Sequence, residues 1–427
     1  MPARRSGKKH VDSDTELWFR GGRYRSRRTF QCGTHRAEAP AETLKRIKPY
    51  LDRAGISRVA DITGLDKVGV PTTLAIRPNA ITMACSSGKG LTLDQAYASG
   101  AMEAFELYAA ETAAPPTTRA SYNELLRDYT LPEIGDLPLS RWTLFSPDWP
   151  FHWFVGWDLI SQSEVAVPLS TVVMSREFML SSAGAFHVSS NGLGAGNTFL
   201  EAVAAGLYEV IERDAIACSF HAALHKGRSI PILTEAVSRS YAQVSGVLDL
   251  CDRAGVRVVL YDCTVNTDVP TYNCLVLDRL YQGVGVVRGS GTHLDPEVAI
   301  LRAITEALQG RLNFIAGSRD DIFRAAFGRM RTDWDSMAKA IEAEQAASIP
   351  ASVRASTASE TFEDDILELI RHVQAAGAKH IVVADLTPQD FPVHIVRVIV
   401  PGFEGYMHHG YRPGRRATSF ACVMEKT

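Results

Sequence analysis

Three stretches of this chain repeat one theme, and that theme limits the possible folds more than any other feature of the sequence. "SSGKGLTLDQAYASGAMEAFELYAAE" (86–111), "SSNGLGAGNTFLEAVAAGLYEVIERDA" (189–215) and "RGSGTHLDPEVAILRAITEALQGRL" (288–312) each run from glycines into an alanine-rich segment of helical periodicity. Each helix also carries acids where an apolar helix would not be expected to hold them. At about 100° per residue, Glu103 and Glu106 share a face, as do Glu209 and Glu212. Glu201 and Glu212 fall within about 20° of each other, and Arg302, Glu306 and Gln309 share one stripe. Grouped carboxylates on an apolar helix are costly to bury and repel one another unless a cation joins them, and a hard cation such as Mg²⁺ takes oxygen ligands. Metal and phosphate together would satisfy both the acids and the glycine-bearing loops.

Each piece alone has a plainer reading. Thr198 with Glu201 fits a helix capping box, and Arg302 with Glu306 fits an i,i+4 ion pair. "SSGKG" is not a Walker A loop, because Met83 stands where its first glycine belongs and Gly90 replaces the Ser or Thr. The recurrence, rather than any one match, carries the argument.

The rest of the chain gives the setting. Its 427 residues are 46% hydrophobic and 22% charged, a globular composition. A net charge of −3 and pI near 6.5 point to no nucleic-acid or membrane partner, no apolar run approaches a bilayer span, and the N-terminus lacks a secretory core. A cytoplasmic protein is expected. Seven scattered cysteines without a CxxC indicate reduced thiols rather than a disulfide framework or a zinc site.

Residues 1–30 hold nine Lys or Arg and read as a basic, flexible arm ahead of one composite domain, 31–427. Residues 343–365, rich in Ala, Ser and Thr, read as a loose surface connection. "AETLKRIKPYLDRAG" reads as an amphipathic helix ended by Gly55. Further helices are expected over about 92–112, 198–217, 235–254, 296–314 and 361–376. "ISRVADIT", "EVAVPLSTVVM", "VRVVLYDCT", "PTYNCLVLD", "HIVVADLT" and "VHIVRVIVPG" read as strands. Helices and strands mix without strict alternation, which predicts an α+β fold rather than a doubly wound parallel sheet. No fixed internal period stands out.

The three stretches resemble, in order and separation, the three ATP-binding signatures of the YcaO family, over about residues 30–402. The resemblance implies a YcaO-type fold, with mixed or antiparallel sheets and helices around an ATP site. It also implies glutamates that hold Mg²⁺ against the ATP phosphates. Carried over by motif position, Glu103, Glu106, Glu201, Glu209, Glu212 and Glu306 fall on the metal side. Ser87, Lys89, Asn197, Glu201, Arg213, Arg302 and Gln309 fall on the nucleotide side, and Glu306, Arg302 and Arg213 are the expected catalytic groups. Where the family often reads E-R-Y in the first signature, this chain reads "ELY", with Leu107.

The chemistry implied is ATP-dependent O-phosphorylation of a peptide backbone amide. An adjacent Cys, Ser or Thr side chain would then give an azoline, and an external sulfur donor a thioamide. The chain ends "RPGRRATSFACVMEKT", without the proline-rich tail usual in cyclodehydratase members. "GTHRAEAPAETLKRI" and "GISRVADITGLDKVGVPTTLAIRPNA" resemble the branch associated with TfuA-type proteins. The expected assembly is therefore a homodimer forming thioamides in a peptide or protein substrate, with a TfuA-like partner and a sulfur donor. A nucleotide-binding scaffold without turnover is the non-enzymatic alternative.

Overall fold

The computed structural model describes residues 17–141, 143–175, 184–226, 229–278, 285–320, 339–344, 351–405 and 411–423. The strands group into three main sheets, and every strand pair in them is antiparallel. The largest runs Ser163–Pro168, Phe151–Asp158, Val382–Asp385, His394–Ile399, Leu193–Gly196, with Thr118–Ala120 on the side of Phe151–Asp158. Two three-stranded sheets flank it: Arg58–Asp61, Thr72–Ile76, Cys85–Lys89, and Val256–Asp262, Thr271–Asp278, Val286–Thr292. This is the expected α+β architecture.

The large sheet is buried on both faces because its strands alternate partners. Val382, Ala384 and Ile395 pack with Ala101, Ala104 and Phe105 of the helix Leu93–Thr112. Val383, Val396 and Val398 point the other way, against Leu207 and Ile211 of Phe199–Lys226 and Ile366 and Leu369 of Phe362–Ala375. The third long helix, Pro296–Ala316, packs on the sheet that ends in Val286–Thr292 through Ala299, Ile300, Ala303 and Ala307.

The three signatures are one unit used three times, in one register. Each begins with a strand at a sheet edge: Cys85–Lys89, Leu193–Gly196 and Val286–Thr292. Four residues after Gly88, Gly194 and Gly291 stand Thr92, Thr198 and Asp295, whose side chains accept from backbone N–H groups of the helix's first turn. Eight and twelve residues after each glycine stand the helix positions its backbone touches. A Cβ on Gly88 would lie 1.9 Å from the Ala96 carbonyl oxygen and 2.4 Å from the Gly100 nitrogen. On Gly194 it would lie 2.3 Å from the Ala202 oxygen and 2.6 Å from the Gly206 nitrogen, and on Gly291 2.1 Å from the Ala299 oxygen and 2.6 Å from the Ala303 nitrogen. These glycines therefore bring strand backbone onto helix backbone. The glycine-bearing stretches that read as loops are thus largely edge strand, Cys85–Lys89 in the first unit.

The units also close on one another. Each helix packs on its own strand and on the next unit's: Leu93–Thr112 on Leu193–Gly196, Phe199–Lys226 on Val286–Thr292, and Pro296–Ala316 on Cys85–Lys89. Three strand-helix units thus form a ring.

Several expected boundaries shift. Pro49 ends the first helix, so Pro40–Ile47 is α-helical and two short 3₁₀ turns follow to Gly55, which is left-handed at φ 72°. The 235–254 segment is two helices, Glu235–Arg239 and Ala242–Arg253. The flexible arm does not extend to residue 30. Leu17 and Phe19 join the core beside Phe199, and the buried Arg28 pairs with Asp365 at 3.4 Å, while residues 1–16 lie outside the described residues. The 343–365 connection is tied down from residue 351 onward. Ala351 donates to the Ile232 carbonyl, Arg354 pairs with Asp262 and Asp268, and Thr357 donates to the Leu294 carbonyl; residues 345–350 lie outside the description.

The close contacts predict the behaviour of alanine substitutions. Gly194→Ala and Gly291→Ala must separate a strand from its helix and should cost about 3 kcal/mol or more in urea unfolding. Gly246→Ala, inside the helix Ala242–Arg253 with nothing within 4 Å of the new methyl, should instead stabilise by about 0.5–1 kcal/mol. Equal effects at the three positions would refute the packing role.

Candidate functional site

Register places the polar side chains as well. Fifteen residues after Gly88, Gly194 and Gly291 come Glu103, Glu209 and Glu306; eighteen after come Glu106, Glu212 and Gln309. The ring brings all six to the wall of one cavity of about 740 Å³. Lys89, Asn197, Glu201, Arg213 and Arg302 line it too, so the three signatures, far apart in sequence, converge on one space.

The carboxylates differ in how they are held. Glu306 is the most firmly anchored as an anion: it pairs with Lys89 at 2.7 Å and accepts from the Ser290 N–H at 3.2 Å. Burial opposes its ionisation, yet Lys89, Arg213 and Arg302 outweigh burial and hold it down to about 2. Glu103 is shifted the other way. Burial pushes it up to about 7, with Lys89 and Arg319 only partly opposing and Glu209 and Glu306 adding repulsion. Glu106 is raised well above the usual carboxylate range by burial and by Glu209 and Glu103, although it accepts from the Ala195 N–H at 2.7 Å. Burial also raises Glu209 and Glu212 against the pull of Arg213.

Two further groups are built into protein. Both oxygens of Glu201 are engaged: they accept from the Ala37 N–H at 3.1 Å, the Asn197 N–H at 3.2 Å and the Asn197 amide at 3.1 and 3.3 Å, with Arg36 at 3.5 Å. Asn197 in turn accepts from Thr43 at 2.8 Å and from Arg46. Glu201 thus ties the 35–37 ribbon to the second helix. Ser87 is not at the cavity wall. Its hydroxyl meets Asn313 at 2.9 Å, and its carbonyl accepts from the Gln309 amide, so it braces Gln309 behind the site. Leu107, where the family pattern often has arginine, is buried at 3% exposure among Phe105, Ala109 and Ala110 and reaches the cavity wall.

The sequence pass missed His35, Arg36, Tyr208, Arg288 and His293, which also line the cavity. Tyr208 stacks on His293 with ring centroids 4.6 Å apart, and His35 meets His293 edge-on at 4.7 Å. Burial, then Arg28, lowers His35 to about 4; burial, then His35, lowers His293 well below its usual value. The three rings are therefore neutral, beside the charged Arg36. Only register signals these rings: His293 stands two residues after Gly291, where the other units have Gly90 and Gly196.

The wall carries the signs of a site for a polyanion bridged by divalent cations. Glu212 keeps a buried oxygen and Arg302 a buried Nε without a hydrogen-bond partner, one suited to a cation and the other to an anion. The family model described as YcaO cyclodehydratase, ATP- and Mg²⁺-binding, matches residues 87–404, and the chain belongs to that family. YcaO-family proteins are ATP-dependent enzymes acting on peptides.

A protein of Methanothermobacter thermautotrophicus is 36% identical over 389 residues, covering 90% of this chain and 98% of its own. A Rhizobium leguminosarum bv. trifolii protein, named for its place in the tfuA 3′ region, is 33% identical over 383 residues, with 86% and 88% coverage. In fold the chain is similar to YcaO from Methanopyrus kandleri bound with AMPPCP and Mg²⁺, with TM-score 0.70, 24% identity, and 91% and 99% coverage. It is similar also to a heterocyclase in complex with substrate and cofactor, with TM-score 0.73, 22% identity and 92% coverage, but spans only 55% of that longer chain. Among the described residues no helix is long and apolar enough to cross a membrane.

The raised carboxyls set a pH dependence. A carboxyl whose folded pKa lies above its unfolded value, as for Glu103, stabilises the fold fully below about 4.5, and that contribution is lost as pH rises through about 7. The metal-free protein should therefore lose melting temperature between about pH 5 and about pH 8. Mg²⁺ binds the ionised form, so the rise in melting temperature it produces should grow over the same window. Glu103→Gln should flatten both trends in differential scanning fluorimetry; unchanged slopes would contradict the assignment.

Proposed function

We propose that this chain activates a backbone amide of a peptide or protein by ATP-dependent O-phosphorylation, and that the product is a thioamide. The observation that carries the first part is the ring of Glu103, Glu106, Glu209, Glu212 and Glu306 around one cavity with Lys89, Arg213 and Arg302. The metal-side glutamates hold Mg²⁺ in this reading, and bound Mg²⁺ supplies charge neutralisation on the transferring phosphoryl group. Glu201 positions Asn197 and the 35–37 ribbon. Lys89, Arg213 and Arg302 orient the polyphosphate and draw charge from its oxygens, so the protein acts by placement and electrostatics. The neutral rings of Tyr208, His35 and His293 offer a stacking surface to the base.

A nucleophile adds to the amide carbon, the former carbonyl oxygen takes the γ-phosphoryl group, and that oxygen leaves as phosphate while ADP is released. With hydrosulfide-level sulfur as nucleophile, the carbon keeps sulfur and the product is a thioamide. The relative named for the tfuA 3′ region supports this branch and a TfuA-like partner. The partner set of this reading is a peptide or protein substrate, a TfuA-like protein, a sulfur donor and a second copy of the chain. The alternative, addition of a neighbouring Cys, Ser or Thr side chain, follows the same order of addition, phosphoryl transfer to the former carbonyl oxygen and loss of phosphate, and gives an azoline.

Mass spectrometry separates the two. With ATP, Mg²⁺, sulfide, a TfuA-like protein and peptide, the product should gain the mass of an oxygen-to-sulfur exchange, and loss of one water would establish the azoline route instead. Glu209→Gln and Glu212→Gln should each lower peptide-dependent ADP release by about 100-fold or more while the fold persists. Full turnover in both variants would remove the site from the chemistry.

A further inference from the structure

A second cavity, of about 490 Å³, adjoins the carboxylate site: Ser189 and Asn191 line both, so one short segment separates them. Much of its wall is apolar, from Leu137, Leu139, Val167, Val210, Val400 and Phe403. At the shared segment it turns polar in a specific way. Arg397 is only 3% exposed; its Nη2 donates to the Ser189 carbonyl, but its Nε and Nη1 are buried without partners. Asn191 Oδ1 is likewise buried without a partner. Unpaired buried donors and acceptors are costly, and native proteins retain few of them.

We propose that this second cavity receives the acceptor residue of the peptide, with an apolar side chain in the cavity and the reacting backbone amide at the shared segment. The amide carbonyl oxygen accepts from Arg397, and the amide N–H donates to Asn191 Oδ1. The chemistry of the pair selects this occupant. One unpartnered donor group and one unpartnered acceptor on residues that line the same cavity match a neutral secondary amide, whereas a carboxylate or phosphate would set an anion against the Asn191 oxygen. The volume lies in the range of small-ligand cavities, and the apolar wall favours a branched aliphatic side chain over a charged one. The shared segment then sets the amide oxygen at the border of the cavity where phosphoryl transfer is placed. The inference rests on the amide-activation reading and names the part of the molecule that holds the acceptor.

The test uses N-acetyl-leucine N-methylamide as probe, with N-acetylglycine N-methylamide and N-acetyl-leucine methyl ester as controls, in saturation-transfer NMR on the full chain with Mg²⁺ and a non-hydrolysable ATP analogue. The leucine amide should bind about tenfold tighter than the glycine amide, and the ester, which lacks the C-terminal amide N–H, about tenfold more weakly than the leucine amide. Asn191→Leu should abolish the amide-ester difference, and Arg397→Met should weaken both. Leu139→Trp and Thr418→Trp, from different parts of the wall, should each occlude the leucine probe while nucleotide affinity, titrated separately, stays within about twofold. Equal binding of the leucine and glycine amides, or undiminished leucine binding in both folded tryptophan variants, would overturn the proposal. Failure of the unaltered protein to bind Mg²⁺ and nucleotide would instead remove the amide-activation reading, and the probe titration without nucleotide would still report on the cavity.

Discussion

The contact on which the site depends is backbone against backbone: a glycine in an edge strand laid directly on the helix that follows it. At Gly88, Gly194 and Gly291 any side chain would enter the helix backbone, so the spacing between strand and helix is fixed by the absence of a Cβ. A capping residue four positions later fixes where the helix starts. With start and separation both set, the positions fifteen and eighteen residues past the glycine fall at the same place in every unit. The carboxylates are thereby placed by main-chain geometry, before any side-chain interaction is considered. Because each helix also packs on the next unit's strand, the three equivalent faces close around one cavity.

That placement has an electrostatic cost which the protein leaves partly uncompensated. Lys89, Arg213 and Arg302 stand nearest the five glutamates of the ring, with Arg36, Arg288 and Arg319 elsewhere on the same wall, and their influence is uneven. Lys89 sits on Glu306, which stays an anion, while Glu103, Glu106, Glu209 and Glu212 are driven toward their neutral forms by burial. A wall with one fixed anion and several carboxyls poised to ionise favours divalent cations, which supply the charge that Lys89 supplies by direct contact to Glu306. Gln309, the amide where the other units carry Glu106 and Glu212, lowers the local repulsion beside Glu306. The third unit thus differs in charge where the neighbouring lysine already holds an anion.

Much of this was legible in sequence, and the failures have physical causes. Glycine followed by a capped helix reads the same whether the glycine frees N–H groups for a phosphate or removes a Cβ to admit a helix. Only the eight- and twelve-residue offsets to Ala96 and Gly100, Ala202 and Gly206, Ala299 and Ala303 distinguish the two, and they become meaningful once strand and helix are seen to touch. The repeat escaped a periodicity search because Gly88 to Gly194 spans 106 residues and Gly194 to Gly291 spans 97, with unrelated insertions between. Helix spacing, which is local information, puts Glu103 with Glu106 and Glu209 with Glu212 on shared faces, and the structure brings these four and Glu306 to one cavity. Arg36 and His35 come from a short ribbon with no motif, and composition misjudged the basic segment before residue 30, where Arg28 is buried against Asp365. Ser87 shares its strand face with Lys89, but it stands one strand period further along and meets Asn313, beyond Glu306 and Gln309 on the same helix.

The ring also determines how ligand and fold influence each other. Each of the three sheets contributes one edge strand and one helix, and the units meet at the cavity through opposed acids, with bonds between units that include Lys89 to Glu306, Gln309 to the Ser87 carbonyl, and Glu106 to the Ala195 N–H. A polyanion with its cations would bond to all three helices at once, adding links where the metal-free ring has repulsion. Anything that binds the folded ring and not the unfolded chain stabilises it by mass action. Here that stabilisation acts between units rather than within one, because residues 103–106, 209–213 and 302–309 belong to different packing clusters. The acids that repel one another across the ring are those that a divalent cation would join, so the geometry couples the stability of the ring to cation binding.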